Sequence, residues 1–386
     1  MPFVQYTKNK TGETMLRRQL FQRLGAFTLV GLGQHSSLGA QAAALSAATA
    51  IQFPQDFGAH PERQTEWWYL TGWLGDKQQA EPDPAFGFQL TFFRSATRHD
   101  RNNPSRFAPQ QLILAHAALT DVRGQRYHVA QKRARAGFDL AYANLGNTDL
   151  KLDNWRLQRA NEGSYSAMIT CDAFQLRLQL TTSQPVLLQG EPNEPGLSRK
   201  GPEPAQFSHY YTEPQLTTHA QLQLGTRTVQ NFSGKAWLDH EWANQVVPGE
   251  ASGWDWLGIN FNDGSALMAF QMRSKNGGAL WAQALVRSAN GQIQRYGPDQ
   301  VHFRPIQTWQ SPRTGTAYPV VQELRLTLDG NVRIWQTAPL LHDQELDARA
   351  STGNIYWEGL IRLHNSTHTI GLGYLEMTGY DKPLKL

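Results

Sequence analysis

Cysteine is almost absent from this 386-residue chain: Cys171 stands alone. One thiol closes no internal disulfide and builds no cysteine zinc site. Set at the end of Ser166-Ala167-Met168-Ile169-Thr170-Cys171, which reads as a strand, it is expected to be a small buried apolar residue. Charge of one sign is scarce too. Charged residues make up 18% of the chain, and its net +4 is carried by residues 1–42, where Lys8, Lys10, Arg17, Arg18 and Arg23 face Glu13 alone. The rest is neutral, a balance that does not support a basic nucleic-acid surface. No later segment reaches the roughly 18 uninterrupted apolar residues of a membrane-spanning helix. The usual catalytic signatures are missing as well. His240-Glu241 is followed by Trp-Ala-Asn, so His-Glu-x-x-His fails, and there is no nucleophile elbow, P-loop or dinucleotide-binding glycine motif. No metal and no cofactor is expected.

The first forty residues carry a signal. Arg17-Arg18 precedes the apolar run 24–32, and Ala40-Gln41-Ala42 supplies a small-x-small cleavage site. Charged, apolar and small-residue regions in that order describe an export signal over 1–42, and the paired arginines point to the twin-arginine route. A periplasmic or secreted bacterial protein is the expectation.

Beyond the signal, apolar residues make up enough of the chain for a large core (40% overall) but seldom follow a helical period. Instead they alternate. Phe174-Gln175-Leu176-Arg177-Leu178-Gln179-Leu180 is apolar at every second position, as are 216–224 and 324–328. A period of two marks strands with one buried face. Asp263-Gly264, Asn276-Gly277, Asn290-Gly291 and Asp329-Gly330 fall between such runs as hairpin turns. The fold class read from this is all-β, built of antiparallel barrels or sandwiches.

An internal repeat sharpens it. Glu66-Trp67-Trp68-Tyr69-Leu70 is followed by Gly87-Phe88-Gln89-Leu90, and Gly253-Trp254-Asp255-Trp256-Leu257 by Ala269-Phe270-Gln271-Met272. Each half opens with a tryptophan-rich strand and returns on a Phe-Gln strand. Two similar domains are expected, at 50–233 and 234–386.

The densest chemistry is Trp237-Leu238-Asp239-His240-Glu241-Trp242, followed by Trp254-Asp255-Trp256. On a strand, Asp239 and Glu241 share one face while His240 and Trp242 share the other. Two readings stay open: a barrel floor of packed tryptophan, or an acid–base site whose carboxyls are pushed up by apolar surroundings. Glu66 reads as a strand-start carboxylate. His116, in an apolar strand, is either a satisfied core residue or a cavity-lining one. Tyr210 and Tyr211 place phenols at a pocket mouth or in packing.

Further segments carry a resemblance. Phe-Pro-Gln-Asp-Phe-Gly-Ala-His-Pro at 53–61 leads into Thr65-Glu66-Trp67-Trp68-Tyr69. Ala115-His116-Ala117, Ser198-Arg199-Lys200-Gly201-Pro202, Tyr356-Trp357-Glu358-Gly359 and Gly373-Tyr374-Leu375-Glu376 follow in order. Together with the tryptophan motifs they resemble the AttH / carotenoid 1,2-hydratase family over nearly all the chain beyond the signal. The resemblance implies two tandem lipocalin-like (calycin) β-barrels and a long hydrophobic ligand, an isoprenoid, carotenoid or lipid. In the hydratases a carboxylic acid protonates an isolated C=C and water captures the cation, a hydro-lyase reaction. It places His240 and Asp255 as the catalytic pair. Trp242, Trp254, Trp256, Trp68, Tyr210, Tyr211 and His116 become substrate-binding, and Glu66, Asp239 and Glu241 supporting carboxylates. Gly253 stands where a hydratase is expected to hold tyrosine, so the AttH branch is the nearer one. The rival expectations are a non-catalytic carrier working beside an envelope ABC transporter, and a secreted hydrolase pairing Asp255 with Glu241 or Asp239.

Overall fold

The computed structural model describes residues 50–384 apart from 76–82, 98, 101, 106 and 367. The expected export signal at 1–42 lies outside the described residues. Among those described, the ordered elements are strands and two three-residue helical turns, and no helix is long and apolar enough to cross a membrane.

The first sheet holds β1 (Thr65–Gly75), β2 (Pro84–Ala96), β3 (Gln111–Asp121), β4 (Arg126–Arg135), β5 (Ala141–Ala143), β6 (Asp149–Leu152), β7 (Trp155–Arg159), β8 (Tyr165–Thr170), β9 (Phe174–Thr181), β10 (Leu187–Leu188), β11 (Leu197–Arg199), β12 (Phe207–Leu224) and β13 (Gln230–Ala243). Its antiparallel path runs β4-β3-β2-β1-β13-β12-β9-β8-β7-β6-β5, with β10 and β11 edging β12. At the path's two ends β3 and β4 come up against β5 and β6, so the sheet is a nearly closed barrel. The second sheet holds β14 (Ala251–Phe261), β15 (Ala266–Ser274), β16 (Ala279–Arg287), β17 (Ile293–Tyr296), β18 (Val301–Gln310), β19 (Ala317–Leu328), β20 (Asn331–Pro339), β21 (Glu345–Ala348), β22 (Asn354–Asn365) and β23 (His368–Thr378). Its path is β17-β16-β15-β14-β23-β22-β20-β19-β18, with β21 on β22. The expected all-β, lipocalin-like architecture is what forms.

The two paths repeat each other. β1 lies between β2 and β13, the last strand of its sheet, just as β14 lies between β15 and β23. The expected boundary at 233/234 is corrected: β13 pairs along its length with β1 and β12, so the change of sheet comes at 244–250.

Period two works where one face is wet. Along β9, Phe174, Leu176, Leu178 and Leu180 are buried while Gln175, Arg177 and Gln179 are exposed. Cys171 falls just past β8 and is only half buried, its thiol donating to the Phe174 carbonyl. The expected turns form. Asp329 and Gly330 both take positive φ (49° and 78°), the left-handed pair a tight hairpin needs.

β1 and β14 are different, being buried on both faces along most of their length. One face of each joins its own barrel's core: Trp68, Leu70, Phe88 and Trp155 in the first, Leu257, Ile259, Trp357 and Leu375 in the second. The other faces pack on each other through Tyr69, Tyr210, Trp237, Trp256, Phe270 and Tyr374. That is why both halves open with tryptophan. A bulge in β12 pins the sheets: Gln215, at φ 61°, donates its N–H to Asn260 Oδ1 (2.8 Å), and Asn260 Nδ2 donates to the Ala236 carbonyl (3.0 Å).

Candidate active site

Strand parity divides the expected site residues between opposite faces. Across β1, β13 and β12, Trp67 stands beside Glu241 and Tyr210, and Tyr69 beside Asp239 and Thr212. These side chains look toward the second sheet. One residue along, Glu66 aligns with Trp242 and His209, and Trp68 with His240 and Tyr211. These look into the first barrel.

The inward set forms a closed network. Glu66 Oε1 accepts from His60 Nδ1 and His240 Nε2, both at 2.8 Å. Its Oε2 accepts from Arg94 Nε at 2.7 Å and from the His60 backbone N–H at 2.9 Å. His60 Nε2 meets Asp56 at 3.2 Å, and His240 Nδ1 meets the Tyr211 hydroxyl at 3.1 Å. Trp242 stacks on His60 with centroids 3.8 Å apart, and Trp68 on His240 at 4.4 Å. Burial opposes ionisation of Glu66, but the hydrogen bonds and charge of His240 and His60 hold its carboxyl well below the usual range. Burial brings His240 down to about 4, so it is neutral near pH 7. His60 goes the other way: burial works against its charge, yet Glu66 and Asp56 raise it. The ring nitrogens of His60 and His240 with Glu66 are spaced closely enough to hold a metal ion. Without an ion, hydrogen bonds to Glu66 and the Arg94 ion pair satisfy these groups and tie the chain at 56–60 to the barrel.

Asp255 sits elsewhere again. Trp254 and Trp256 line the space between the sheets, so Asp255 points into the second barrel. There it meets the Arg273 guanidinium, accepts from Gln271 Nε2 (2.7 Å) and accepts from the Tyr380 hydroxyl (3.0 Å). The expected pairing of His240 with Asp255 is therefore not formed, nor is a pairing of Asp255 with Glu241 or Asp239. Alternation along β13 and β14 sends the members to different spaces.

What the sheets do enclose is a cavity of about 340 Å³ between them. Trp67, Tyr69, Phe93, Leu112, Leu114, Tyr210, Trp254, Trp256, Phe270 and Met272 give it apolar and aromatic walls. Of the expected residues it takes in Trp254, Trp256, Tyr210, His116, Asp239 and Glu241. Trp68, Trp242, Tyr211, Glu66 and His240 lie behind its wall, on the other face of the same strands. A second cavity, of about 570 Å³, opens at one end of the second barrel between Phe261, Trp335 and the exposed Arg333. It holds no buried acid.

The cavity between the sheets holds four carboxyls. Glu241 is paired with Lys200 Nζ at 2.8 Å, and that ammonium also lies over the Phe270 ring (4.5 Å). Asp239 accepts from Thr212 Oγ1 (2.6 Å) and Trp237 Nε1 (2.8 Å), yet burial outweighs these bonds and pushes it up to about 7. Tyr210 accepts from Trp256 Nε1 (3.0 Å) and lies in hydrogen-bonding contact with Asp239. Glu358 on β22 and Glu376 on β23 are direct cross-strand partners. Burial pushes Glu376 up to about 8, against a hydrogen bond from Trp254 and with help from the charges of Glu241, Asp239 and Asp255. Burial and then the charge of Glu376 push Glu358 well above its ordinary value. Both shifts favour the protonated form near pH 7.

Glu358, Glu376, Lys200 and Tyr356 escaped the sequence reading as site residues. The available signal was a glutamate at the centre of two otherwise apolar strands, Tyr356-Trp357-Glu358 and Leu375-Glu376-Met377. Only the register brings the two together.

A family model described as AttH-like matches residues 44–380. The chain belongs to the AttH-like family. A protein of Nitrosomonas europaea assigned as an AttH, whose crystal structure is known, is 48% identical. The match covers 86% of this chain and 98% of that one, with a TM-score of 0.76. The kievitone hydratase of Nectria haematococca superposes with a TM-score of 0.62 at 14% identity, over 87% of this chain and 95% of that one. At that identity the likeness is one of fold. No curated protein matches this AttH-like chain by sequence.

Proposed function

We propose that the protein binds an elongated apolar, unsaturated ligand between its two sheets and adds water across an isolated C=C by acid catalysis. The observation that carries this is the Glu358–Glu376 pair: two cross-strand carboxyls facing a cavity walled by indole and phenol rings, where burial favours their protonated form. Alkene protonation needs an acid that still holds its proton at neutral pH. The cation that forms needs aromatic faces and no nearby competing base. Cavity volume favours an isoprenoid of modest length, or the end of a longer one, since about 300–1,000 Å³ accommodates a drug-sized molecule. The name of the fold neighbour, a hydratase, agrees with this reading. Export to the periplasm or beyond, supported by the arginine pair and apolar run ahead of residue 42, is part of the proposal.

A non-catalytic carrier handing its ligand to an envelope transporter is the second reading, and the apolar walls suit it equally. Paired protonated carboxyls have no task in a carrier, which puts hydration first. The test is incubation with geranylgeraniol in water enriched in heavy oxygen. Wild type is expected to yield a tertiary alcohol carrying the label, and Glu376→Gln to bind the alkene while losing at least about a hundredfold in turnover. Binding without any conversion by wild type gives the function to the carrier.

A further inference from the structure

Hydration needs a second device besides an acid: something must hold the water and take its proton when the cation is captured. On the same wall of the cavity as β13, with two strands between, His116 on β3 is buried, and its two ring nitrogens have different partners. Nδ1 meets the Tyr356 hydroxyl at 2.5 Å and Nε2 meets Ser351 Oγ at 2.7 Å. The direction of each bond can be worked out from its far end. Gln131 Nε2 donates to the Asp347 carbonyl (3.0 Å), which turns the amide oxygen Oε1 toward Ser351 Oγ at 2.6 Å. A carboxamide oxygen carries no hydrogen, so Ser351 donates to it. Ser351 Oγ therefore accepts from His116, which puts the ring proton on Nε2. Nδ1 is left as a bare acceptor, and Tyr356 donates to it.

We propose that Tyr356 is the water-binding residue of the hydration reaction and that His116, oriented by Ser351 and Gln131, positions it and receives its proton. The inference rests on the hydration reading above and assigns that site its second half. Tyr356 and Glu358 are two apart on β22 and both line the cavity. Their backbone positions are therefore about 6.6 Å apart along the strand. That spacing leaves room for a C=C and a water molecule between acid and base, the requirement that separates the carboxyls of inverting glycosidases.

The step balances. Glu358 or Glu376 gives its proton to one alkene carbon and becomes a carboxylate. A water lone pair forms the C–O bond to the adjacent cationic carbon. The water's surplus proton passes to Tyr356 Oη as the Tyr356 proton passes to His116 Nδ1. Imidazolium and carboxylate then cancel, and return of the proton through solvent resets both. Burial holds His116 down to about 3, so the ring is uncharged beforehand and does not repel the cation. A protonated tertiary alcohol is a far stronger acid than any imidazolium, so a weak base suffices. The groups facing His116 are Tyr356, Ser351, Gln131 and the Phe93 ring edge, none of them charged.

Two measurements test it. In full-length protein labelled with nitrogen-15, His116 is expected as the neutral Nε2–H tautomer throughout pH 8 to about 5. A proton on Nδ1, or titration near the ordinary histidine value, overturns the relay whatever the substrate. In the second, Tyr356→Phe is given geranylgeraniol in deuterated water. The variant keeps the ring but lacks the oxygen. Deuterium is expected still to enter the alkene, through isomerisation by proton loss from the cation, while the ratio of alcohol to isomerised alkene falls tenfold or more. His116→Leu is expected to lower that ratio through kcat with KM unchanged. An unaltered ratio in Tyr356→Phe overturns the relay alone. Absence of both deuterium and alcohol with wild type overturns the hydration reading and the relay with it.

Discussion

Glu358 and Glu376 stand directly opposite each other on neighbouring antiparallel strands, with both side chains turned into the cavity between the sheets. Like charges in that relation are unfavourable even on a wet sheet. Here both are also buried, and burial is the main force favouring their protonated form.

Burial of Glu376 makes stability fall as pH rises. A carboxyl whose folded pKa is raised binds its proton more tightly in the native than in the unfolded state, so stability is lost between the two pKa values. For Glu376 the window runs from its ordinary value of 4.5 to about 8. The melting temperature is expected to decline across pH 5 to 8. Glu376→Gln should flatten the slope, by at most about 1.4 kcal/mol per pH unit for one group. Calorimetry of both proteins over that range checks it. Equal slopes would remove the buried pair from the account.

Removing Glu66 should act in the opposite pH range. Glu66→Ala leaves the buried Arg94 without its carboxylate and is expected to cost about 3–5 kcal/mol at pH 7. The folded pKa of Glu66 is depressed, so this contribution is present above pH 4.5 and fades as the pH falls below it. Guanidinium midpoints at pH 7 and pH 3 should show the gap between variant and wild type narrowing in acid.

Asp255→Asn is expected to destabilise the second barrel by weakening the bond to Arg273, while leaving ligand binding in the cavity unchanged. Turnover should follow stability and nothing more. If instead the variant folds normally, binds geranylgeraniol and fails to convert it, Asp255 is the acid and Glu358 and Glu376 are not.

Met272→Trp should fill the cavity from one wall. Met272 lines the space and is replaced by a side chain larger by several heavy atoms. Binding of an apolar fluorescent probe is expected to weaken at least tenfold, with an overpacking cost of about 1–3 kcal/mol. Undiminished binding would put the ligand elsewhere, the mouth of the second barrel being the next place to look.

Much of the fold was legible because strand physics is local. The alternation in β9, the four glycine turns and the duplicated tryptophan strand all appear where expected. Alternation also separated Asp239 and Glu241 from His240 and Trp242 correctly. What it could not say is which of those faces meets the other sheet, since β1 and β14 are apolar on both sides. The family resemblance implied a site of His240 and Asp255, which look into different barrels. The acid pair was missed for a related reason: Glu358 and Glu376 become neighbours only through the register of β22 on β23, and no local pattern encodes that alignment.

The two-sided burial of β1 and β14 has a consequence for how such a chain can be divided. Either half produced alone would present a band of bare indole and phenol rings to solvent, an adhesive stripe inviting self-association. Whatever chemistry occurs at the seam is therefore a property of the joined pair. Shuffling or trimming one half for engineering would have to carry the matching surface of the other along with it.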